Sequence, residues 1–344
     1  DSCGDMHYWE VCHGRGTFDA YYRIRPRFCS EFGYQSFPSF ESVKRFCPES
    51  EWNIFSPTMR FHQKFVQGNG PIMRMFGEYF RMPESFESFL YLSQVQQALA
   101  IKTAVDFWRS LKPRCMGILY WQLNDNWPVV SWSSVEYGGK YKQLHYQARR
   151  FFAPVVAVMY RKEAEPFQLH AVSDLAEETD VAITLSAYDF RGNMRKEFHF
   201  TARLAAGESR LLREFGAGEL ADLEPEQVFL QLTLAARAAD GREYHHEDTV
   251  FLTRCQECIL ASPSIRHTVI PAAEGGAVVE LETDVPAFYT TLDAPGFPGY
   301  FSDNSLTLLP GRKYSLAFTP RHSAPDWRQF EAALKIETLR STYR

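Results

Sequence analysis

The sequence has neither an excess of positive charge nor a long hydrophobic run. Its 344 residues include 37 lysines and arginines against 42 aspartates and glutamates, a formal net charge of −5. Because nucleic-acid-binding proteins carry clustered basic residues, this balance argues against DNA or RNA as a partner. No stretch of eighteen or more apolar residues occurs, so no membrane-spanning helix is expected. The opening residues, Asp1 to Asp5, show no signal peptide.

Cysteine also lacks the patterns that give it a structural or catalytic role. The seven cysteines are odd in number and have no framework spacing, which argues against a disulfide scaffold. Cys255 and Cys258 form an isolated C-x-x-C pair, whereas a zinc site needs a second pair and a redox site needs a thioredoxin-like context. We therefore predict no metal site, and we interpret Cys29 as a small core residue.

The composition is that of a globular protein with ample core. Hydrophobic residues make up 45% of the chain and charged residues 23%, and the length is enough for two or three domains. Aromatic residues reach 15% and are concentrated in the first 160 residues. This asymmetry favours an N-terminal part that handles a ligand, followed by plainer modules.

One apolar, β-prone segment, from Arg25 to Phe32, has an acidic residue close to its end. This residue is Glu31, and Gly33 then lets the chain turn away. A strand of a parallel barrel presents its catalytic group in this way, at its C-terminal end. Glu31 is therefore the first candidate for chemistry, and an exposed acid at a strand end is the alternative.

A second segment, Cys115 to Pro128, repeats the arrangement with aromatic and amide side chains. A buried strand leads into a loop containing Trp121, Gln122 and Trp127, with Trp132 shortly after it. Sugars bind where aromatic faces meet their C–H groups and amides meet their hydroxyls. The alternative is a tryptophan-rich rim that only packs.

The order of predicted elements indicates three domains. Residues 1–153 alternate helices and strands, as in the C-terminal part of an α/β (TIM) barrel, whereas residues 154–255 and 256–344 read as two all-β, immunoglobulin-like sandwiches. The predicted helices are 40–46, 56–65, 83–111 and 141–152. The predicted strands are 116–121, 181–190, 198–204, 228–235, 249–253, 277–282, 288–292 and 314–319.

Four motifs together resemble the β-mannosidases of glycoside hydrolase family 2. They are Gly4 to Val11 with His13-Gly14, Phe28 to Gly33, Leu119 to Asp125, and Phe301 to Asn304 with Leu309 to Gly311. The resemblance implies a retaining exo-β-D-mannosidase that removes terminal non-reducing mannose and needs no cofactor. It implies that Glu31 is the nucleophile and that Trp121, Trp9, His13 and Gln122 contact substrate. Trp9 and His13 are expected in a loop, and Cys12 stands where the family usually has tryptophan.

The same resemblance implies that part of the enzyme is absent from this chain. A complete barrel takes about 250 residues, but only 153 precede the sandwich domains. The family's acid/base glutamate follows an asparagine, and no Asn-Glu dipeptide occurs in the sequence. Glu10, Glu78 and Glu136 are interpreted as solvated or helix-surface acids. We therefore expect a C-terminal fragment whose partners are a β-mannoside glycan and the missing N-terminal part of the enzyme, and which alone is inactive or nearly so.

Two other interpretations stay open. Another family 2 specificity, such as β-galactosidase, β-glucuronidase or exo-β-glucosaminidase, uses the same nucleophile strand. A non-catalytic carbohydrate-binding or assembly module is consistent with the missing Asn-Glu pair. The resemblance favours a periplasmic, secreted or lysosomal setting over a cytoplasmic one.

Overall fold

The computed structural model of the protein describes residues 4–163, 165–216, 218–272 and 275–344. A mixed α/β region comes first and two β-rich units follow it. One hydrophobic core spans the α/β region and extends to residues of both later units, among them Phe229 and Phe288. Each later unit also has a core of its own.

The α/β region contains a small parallel sheet. Its strands are β1 (Met6–Tyr8), β2 (Cys29–Phe32) and β3 (Ile118–Tyr120), in the order β1-β2-β3. Both pairings are parallel, so the C-terminal ends of all three strands lie at the same edge. Residues at or directly after the ends of β2 and β3 are therefore neighbours at that edge, and they include Glu31 and Trp121.

Helices pack around this sheet. They are α1 (Glu10–His13), α2 (Phe40–Lys44), α3 (Pro57–Phe61), α4 (Gly70–Tyr79), α5 (Phe86–Ser110) and α6 (Gln143–Phe151). Serine side chains start three of them, because the Oγ atoms of Ser39, Ser56 and Ser85 accept a backbone N–H of the first turn. α5 is the longest at 25 residues, and Leu92, Val95 and other side chains along it are buried.

The sequence predicted α2, α5 and α6 within a few residues but missed α4. Helix propensity opposed it, because Gly70, Pro71 and Gly77 are poor helix formers. Pro71 is tolerated in the first turn, where its missing N–H has no intrahelical partner. Met75 and Phe76 are buried on the inner face of the helix, so tertiary packing overrides its weak propensity.

The second unit is a pair of antiparallel sheets. Its strands are β4 (Val155–Tyr160), β5 (Phe167–Ser173), β6 (Thr179–Asp189), β7 (Met194–Leu204), β8 (Ser209–Phe215), β9 (Val228–Ala238) and β10 (Glu243–Phe251). One sheet has the order β4-β5-β8 and the other β10-β9-β6-β7. Alternate residues of both sheets meet in the core, for example Leu169, Ile183 and Leu232.

The third unit repeats this plan with one helix added. Its elements are β11 (Ile265–Pro271), β12 (Ala277–Thr283), β13 (Ala287–Asp293), β14 (Gly299–Phe301), β15 (Leu306–Leu308), β16 (Tyr314–Pro320), α7 (Trp327–Ala333) and β17 (Lys335–Glu337). The sheets have the orders β11-β12-β16-β14 and β15-β13-β17. Phe330 of α7 fills the core between them.

Two features of the described part of the chain concern membrane-spanning helices and disulfide bonds. None of its helices combines the length and the apolarity needed to cross a bilayer. The six cysteines it includes are all buried and outside disulfides, and Cys255 and Cys258 are among them.

Candidate active site at the edge of the parallel sheet

Glu31 lies beside His7 on neighbouring strands. The β1–β2 register pairs these two residues directly, and Nδ1 of His7 is 2.9 Å from Oε2 of Glu31. The Glu31 side chain is 25% exposed and that of His7 56%, so the carboxylate is held at the protein surface rather than buried. A partly open, oriented carboxylate is suited to attack on a bound molecule.

Gly33 makes room for close packing directly after Glu31. A Cβ atom at this position would collide with the carbonyl oxygen of Trp121 and press on the rings of Trp9 and Trp132. The backbone N–H of Trp121 donates to the Phe32 carbonyl at 2.7 Å. The ends of β2 and β3 are thus locked together, and the Trp121 side chain remains 47% exposed.

Aromatic rings form a wall around the same edge. The His13 imidazole lies between Trp9 and Phe65, with ring centroids 4.7 Å and 4.8 Å away and nearly parallel planes. Trp132 meets Trp9 edge-on at 6.1 Å. Partial burial lowers the pKa of His13, against the opposing effect of the Glu31 charge. The imidazole is therefore neutral near pH 7 and behaves as an aromatic surface.

Two cysteines close to this edge have packing roles. The indole N–H of Trp132 donates to Sγ of Cys12 at 3.4 Å. Burial raises the pKa of Cys12 to about 11 and that of Cys29 to about 12, so both remain protonated thiols. Cys29 is fully buried, in agreement with its interpretation as a core residue.

The loop after Trp121 is fixed by buried polar groups. Oδ2 of Asp125 accepts hydrogen bonds from Ser131 at 2.8 Å and Ser133 at 2.5 Å, and Gln122 Nε2 donates to Oδ1 of Asp125 at 3.2 Å. The ammonium group of Lys142 is buried beneath, 3.5 Å from the Ser131 carbonyl. Burial lowers the pKa of Lys142 to about 8, against the attraction of Asp125 and Glu136.

The three tryptophans named from the sequence separate into different surroundings. Trp121 and Trp132 lie at the sheet edge, but Trp127 packs against His62, with ring centroids 5.2 Å apart. Lys64 lies 5.0 Å from the Trp127 centroid. Trp127 therefore belongs to a separate aromatic cluster.

Two sequence expectations need correction. Trp9 and His13 were expected in a loop, but Trp9 is the N-cap of α1 and His13 is its last residue. Glu136 was interpreted as a solvated acid, but it is only 2% exposed. Its carboxylate accepts hydrogen bonds from Ser39 and Ser42 at 2.6 Å and so stabilises the start of α2.

The other two glutamates lie as expected. Glu10 is exposed, and Glu78 is half-exposed and pairs with Arg254 at 2.5 Å. Within the described ranges, no group of three or more His, Cys, Asp or Glu side chains is arranged to hold a metal ion.

Sequence reasoning missed two residues of this edge, His7 and Phe65. His7 contacts Glu31 only because of the strand register, which local sequence does not reveal. Phe65 follows α3 and reaches His13 from about fifty positions away. The one signal available in the sequence concerned His7, which is a histidine on the strand that precedes the strand of Glu31.

Family models match both β-rich units. Residues 165–254 match a mannosidase Ig/CBM-like domain, and residues 260–342 match an Ig-fold domain of the mannosidase type. The two β-rich units are therefore immunoglobulin-like, as the sequence predicted.

Two β-mannosidases and two solved structures match 91–99% of this chain, whereas this chain spans only 40–42% of their length. The β-mannosidases of goat (Capra hircus) and mouse (Mus musculus) are 31% and 30% identical over 99% of this chain and 40% of theirs. The crystal structure of the β-D-mannosidase from Dictyoglomus thermophilum has a TM-score of 0.84 and 30% identity, over 97% of this chain and 40% of that one. An exo-chitosanase from Amycolatopsis orientalis, at 16% identity and a TM-score of 0.65, covers 91% of this chain and 42% of its own, and shares the fold.

Proposed function

The chain belongs to the β-mannosidases of glycoside hydrolase family 2 as a C-terminal portion, and we propose that it supplies the nucleophile of a retaining exo-β-D-mannosidase. The observation that carries this proposal is the position of Glu31. Its carboxylate lies at the C-terminal edge of a parallel sheet, is held by His7 at 2.9 Å, and is followed by Gly33 packed under Trp121. The chain spans about 40% of the length of its curated relatives, so the activity concerns the complete enzyme.

Residues 1–153 are proposed to be the C-terminal part of a (β/α)8 catalytic barrel. Supporting this are the three parallel strands, the long helix α5 between β2 and β3, and the candidate residues at the C-terminal strand ends. Active sites of such barrels lie at that end. The remaining domain limits proposed are 154–255 and 256–344.

Each candidate residue receives a role in this proposal. Glu31 attacks the anomeric carbon while the bond to the leaving oxygen breaks, and water later releases the mannose from the enzyme. Trp121 offers its exposed face to the sugar ring. Trp9 and His13 border the site, and Gln122 bonds a hydroxyl through the carbonyl end of its amide.

The second carboxyl of the reaction is proposed to come from the N-terminal part of the enzyme. Retaining glycosidases place two carboxyl groups about 5–5.5 Å apart. Of the other glutamates considered in this chain, Glu136 caps α2, Glu78 pairs with Arg254, and Glu10 is exposed on α1. Loss of general acid help costs about 10²–10⁴ in rate, so this chain alone is expected to be inactive or nearly so.

Mannose is proposed as the recognised sugar because the relatives at 30% identity or more are named β-mannosidases. The substrate is then a glycan with a terminal β-mannose. The exo-chitosanase likeness, at 16% identity, concerns the fold alone.

Hydrolysis of 4-nitrophenyl β-D-mannopyranoside tests the proposal. The 344-residue chain alone is expected to show little or no turnover. The same chain joined to the N-terminal part of its enzyme is expected to hydrolyse the substrate, and Glu31→Gln is expected to lower its kcat by about 10³ or more. A 2-deoxy-2-fluoro mannosyl inhibitor is expected to label the peptide that contains Glu31.

Glu10→Gln is the matched control, because Glu10 is an exposed glutamate on the adjacent helix. It should leave kcat within about twofold of the unmodified enzyme. Unchanged turnover in the Glu31→Gln enzyme, or labelling of another carboxylate, would remove Glu31 from the nucleophile role. A preference for 4-nitrophenyl β-galactoside, β-glucuronide or β-glucosaminide would keep the mechanism and replace the sugar.

A further inference from the structure

A second cleft lies where the α/β region meets the third unit, apart from Glu31. It has a volume of about 140 Å³. The start of α6, the segment around Tyr137–Tyr141 and the end of β13 border it, and the lining includes none of the residues proposed for catalysis. Ligand sites favour such junctions between domains.

The walls of the cleft are strongly aromatic. Nine aromatic side chains line it, with Tyr141 and Tyr300 facing each other at 5.4 Å between ring centroids. Tyr137 is 49% exposed and Tyr141 36%. Arg321 holds Tyr300 in place, since its guanidinium lies 5.3 Å from the ring centroid and donates to the Tyr300 oxygen at 2.7 Å. The exposed parts of Tyr137 and Tyr141 are available to C–H groups of a ligand.

The polar groups of the cleft are balanced in charge. Four acidic and four basic side chains line it. Lys140 bridges two of the acids, with Nζ 2.7 Å from Asp293 and 3.4 Å from Glu41. Burial raises the pKa of a third acid, Glu337, to about 7. A ligand therefore meets charges of both signs, several of them already paired with each other, and a neutral molecule finds both donors and acceptors.

A buried amide in the lining lacks one hydrogen bond. Gln143 is 4% exposed, and its Nε2 donates to Oγ1 of Thr291 at 2.7 Å. Its Oε1 has no hydrogen-bond partner among the described residues. Because buried acceptors are almost always satisfied, Oε1 of Gln143 is an atom at which a water or a ligand hydroxyl would complete the hydrogen bonding of the lining.

We propose that this cleft binds one neutral sugar residue and is a carbohydrate site separate from the one at Glu31. Aromatic faces beside hydroxyl-bonding amide and carboxylate groups match the chemistry of a pyranose ring. The volume of about 140 Å³ is below the roughly 300–1,000 Å³ of pockets for drug-sized ligands, which favours a single ring over a longer chain. The site would hold a second residue or branch of a glycan.

Ligand-observed NMR by saturation transfer tests the proposal on the protein. The probes are methyl α-D-mannopyranoside, methyl β-D-glucopyranoside and N-acetylglucosamine, each up to about 50 mM, a range that reaches the weak affinities of single sugars. At least one is expected to bind. Tyr300→Ala, which removes a wall, is expected to weaken this binding about tenfold, and Gln143→Met, which keeps the side-chain length but removes Oε1, about fivefold.

Two variants separate this site from the catalytic proposal. Trp121→Ala should leave binding at the cleft unchanged, and so should Phe61→Ala, which alters an aromatic side chain that is 65% exposed and outside both sites. Melting curves test whether each cleft variant is folded. Asp293→Asn, at another residue of the lining, is used in place of a variant that is not folded. No saturation transfer from the three sugars would overturn the proposal. Transfer that survives both cleft variants but disappears in Trp121→Ala would overturn it as well, by assigning all binding to the edge of the parallel sheet.

Discussion

Nδ1 of His7 lies 2.9 Å from Oε2 of Glu31 across two paired parallel strands. An ionised carboxylate only accepts hydrogen bonds, so Nδ1 must carry the proton in this contact. The His7 side chain is 56% exposed, and an exposed pair of this kind adds little to stability. Its effect is therefore to orient the carboxylate, and Oε1 is the oxygen left for the nucleophilic attack that we propose for Glu31.

Removal of His7 should lower activity without unfolding the protein. His7→Ala is expected to reduce kcat of the complete enzyme about 10–100-fold, because a misplaced nucleophile loses its alignment with the anomeric carbon. His7→Asn should retain more activity, since its amide N–H can replace Nδ1–H. Steady-state kinetics with 4-nitrophenyl β-mannoside measure both variants. Equal activity in His7→Ala and the unmodified enzyme would show that Glu31 is oriented by other groups.

Alanine substitutions at Trp121 and Trp132 should have different effects, one on substrate binding and the other on protein stability. Trp121 is 47% exposed, so Trp121→Ala should raise KM about tenfold or more while changing the unfolding free energy by less than about 1 kcal/mol. Trp132 packs on Trp9 and Phe65, so Trp132→Ala should cost about 2–4 kcal/mol. Urea denaturation and kinetics on the same preparations test both. A large stability loss in Trp121→Ala with an unchanged KM would assign that indole to packing.

The local sequence pattern was sufficient to predict the strands that end beside Glu31 and Trp121. The β-prone run before Glu31 and the turn at Gly33 are visible in the sequence, and so is the apolar run before Trp121. The long helix α5 was equally readable, from the helical period of its apolar residues and from its end before Pro113. These features depend on neighbours within a few residues, which a single sequence displays.

Features that depend on distant residues were not predictable. His7 meets Glu31 through strand register, and Glu136 is buried because Ser39 and Ser42, more than ninety positions away, satisfy its carboxylate. The strand β4 was missed for another reason. Its residues, Val155–Tyr160, are all buried, and a continuous apolar run has no period that identifies a strand.

Gly33 should not tolerate even one added methyl group. The Cβ of Gly33→Ala would collide with a backbone oxygen, that of Trp121, which cannot rotate away as a side chain can. We expect a loss of about 1–3 kcal/mol in unfolding free energy, together with reduced kcat, because the ends of β2 and β3 must separate. Differential scanning calorimetry and kinetics measure the two effects.

Gly77→Ala is the matched control for that substitution. Gly77 is an exposed position inside α4, and a Cβ there would meet no atom within 4 Å. The change should stabilise the protein by about 0.5–1 kcal/mol, because alanine is the better helix former. If Gly33→Ala and Gly77→Ala changed the unfolding free energy in the same way, close packing would not be the reason why position 33 requires glycine.

Lys142 should give the protein a stability that rises with pH. Burial lowers its pKa in the folded state to about 8 from 10.5. Between these values the unfolded chain binds a proton that the folded chain does not, so the unfolding free energy increases from about pH 8 to pH 10.5, by an amount on the order of 3 kcal/mol. Below pH 8 both states are protonated, and the full cost of the buried charge is present.

The Lys142→Met variant isolates this contribution from other groups that titrate in alkali. Urea denaturation at pH 8, 9 and 10 should show that the unmodified protein gains stability relative to Lys142→Met as the pH rises. Lys44→Met, at an exposed lysine, should follow the unmodified protein at every pH. If the unfolding free energies of Lys142→Met and the unmodified protein changed equally with pH, the pKa of Lys142 would be the same in the folded and unfolded protein. In that case Asp125 and Glu136, the two acids that attract it, would offset the cost of burying the ammonium group beneath the Trp121 loop.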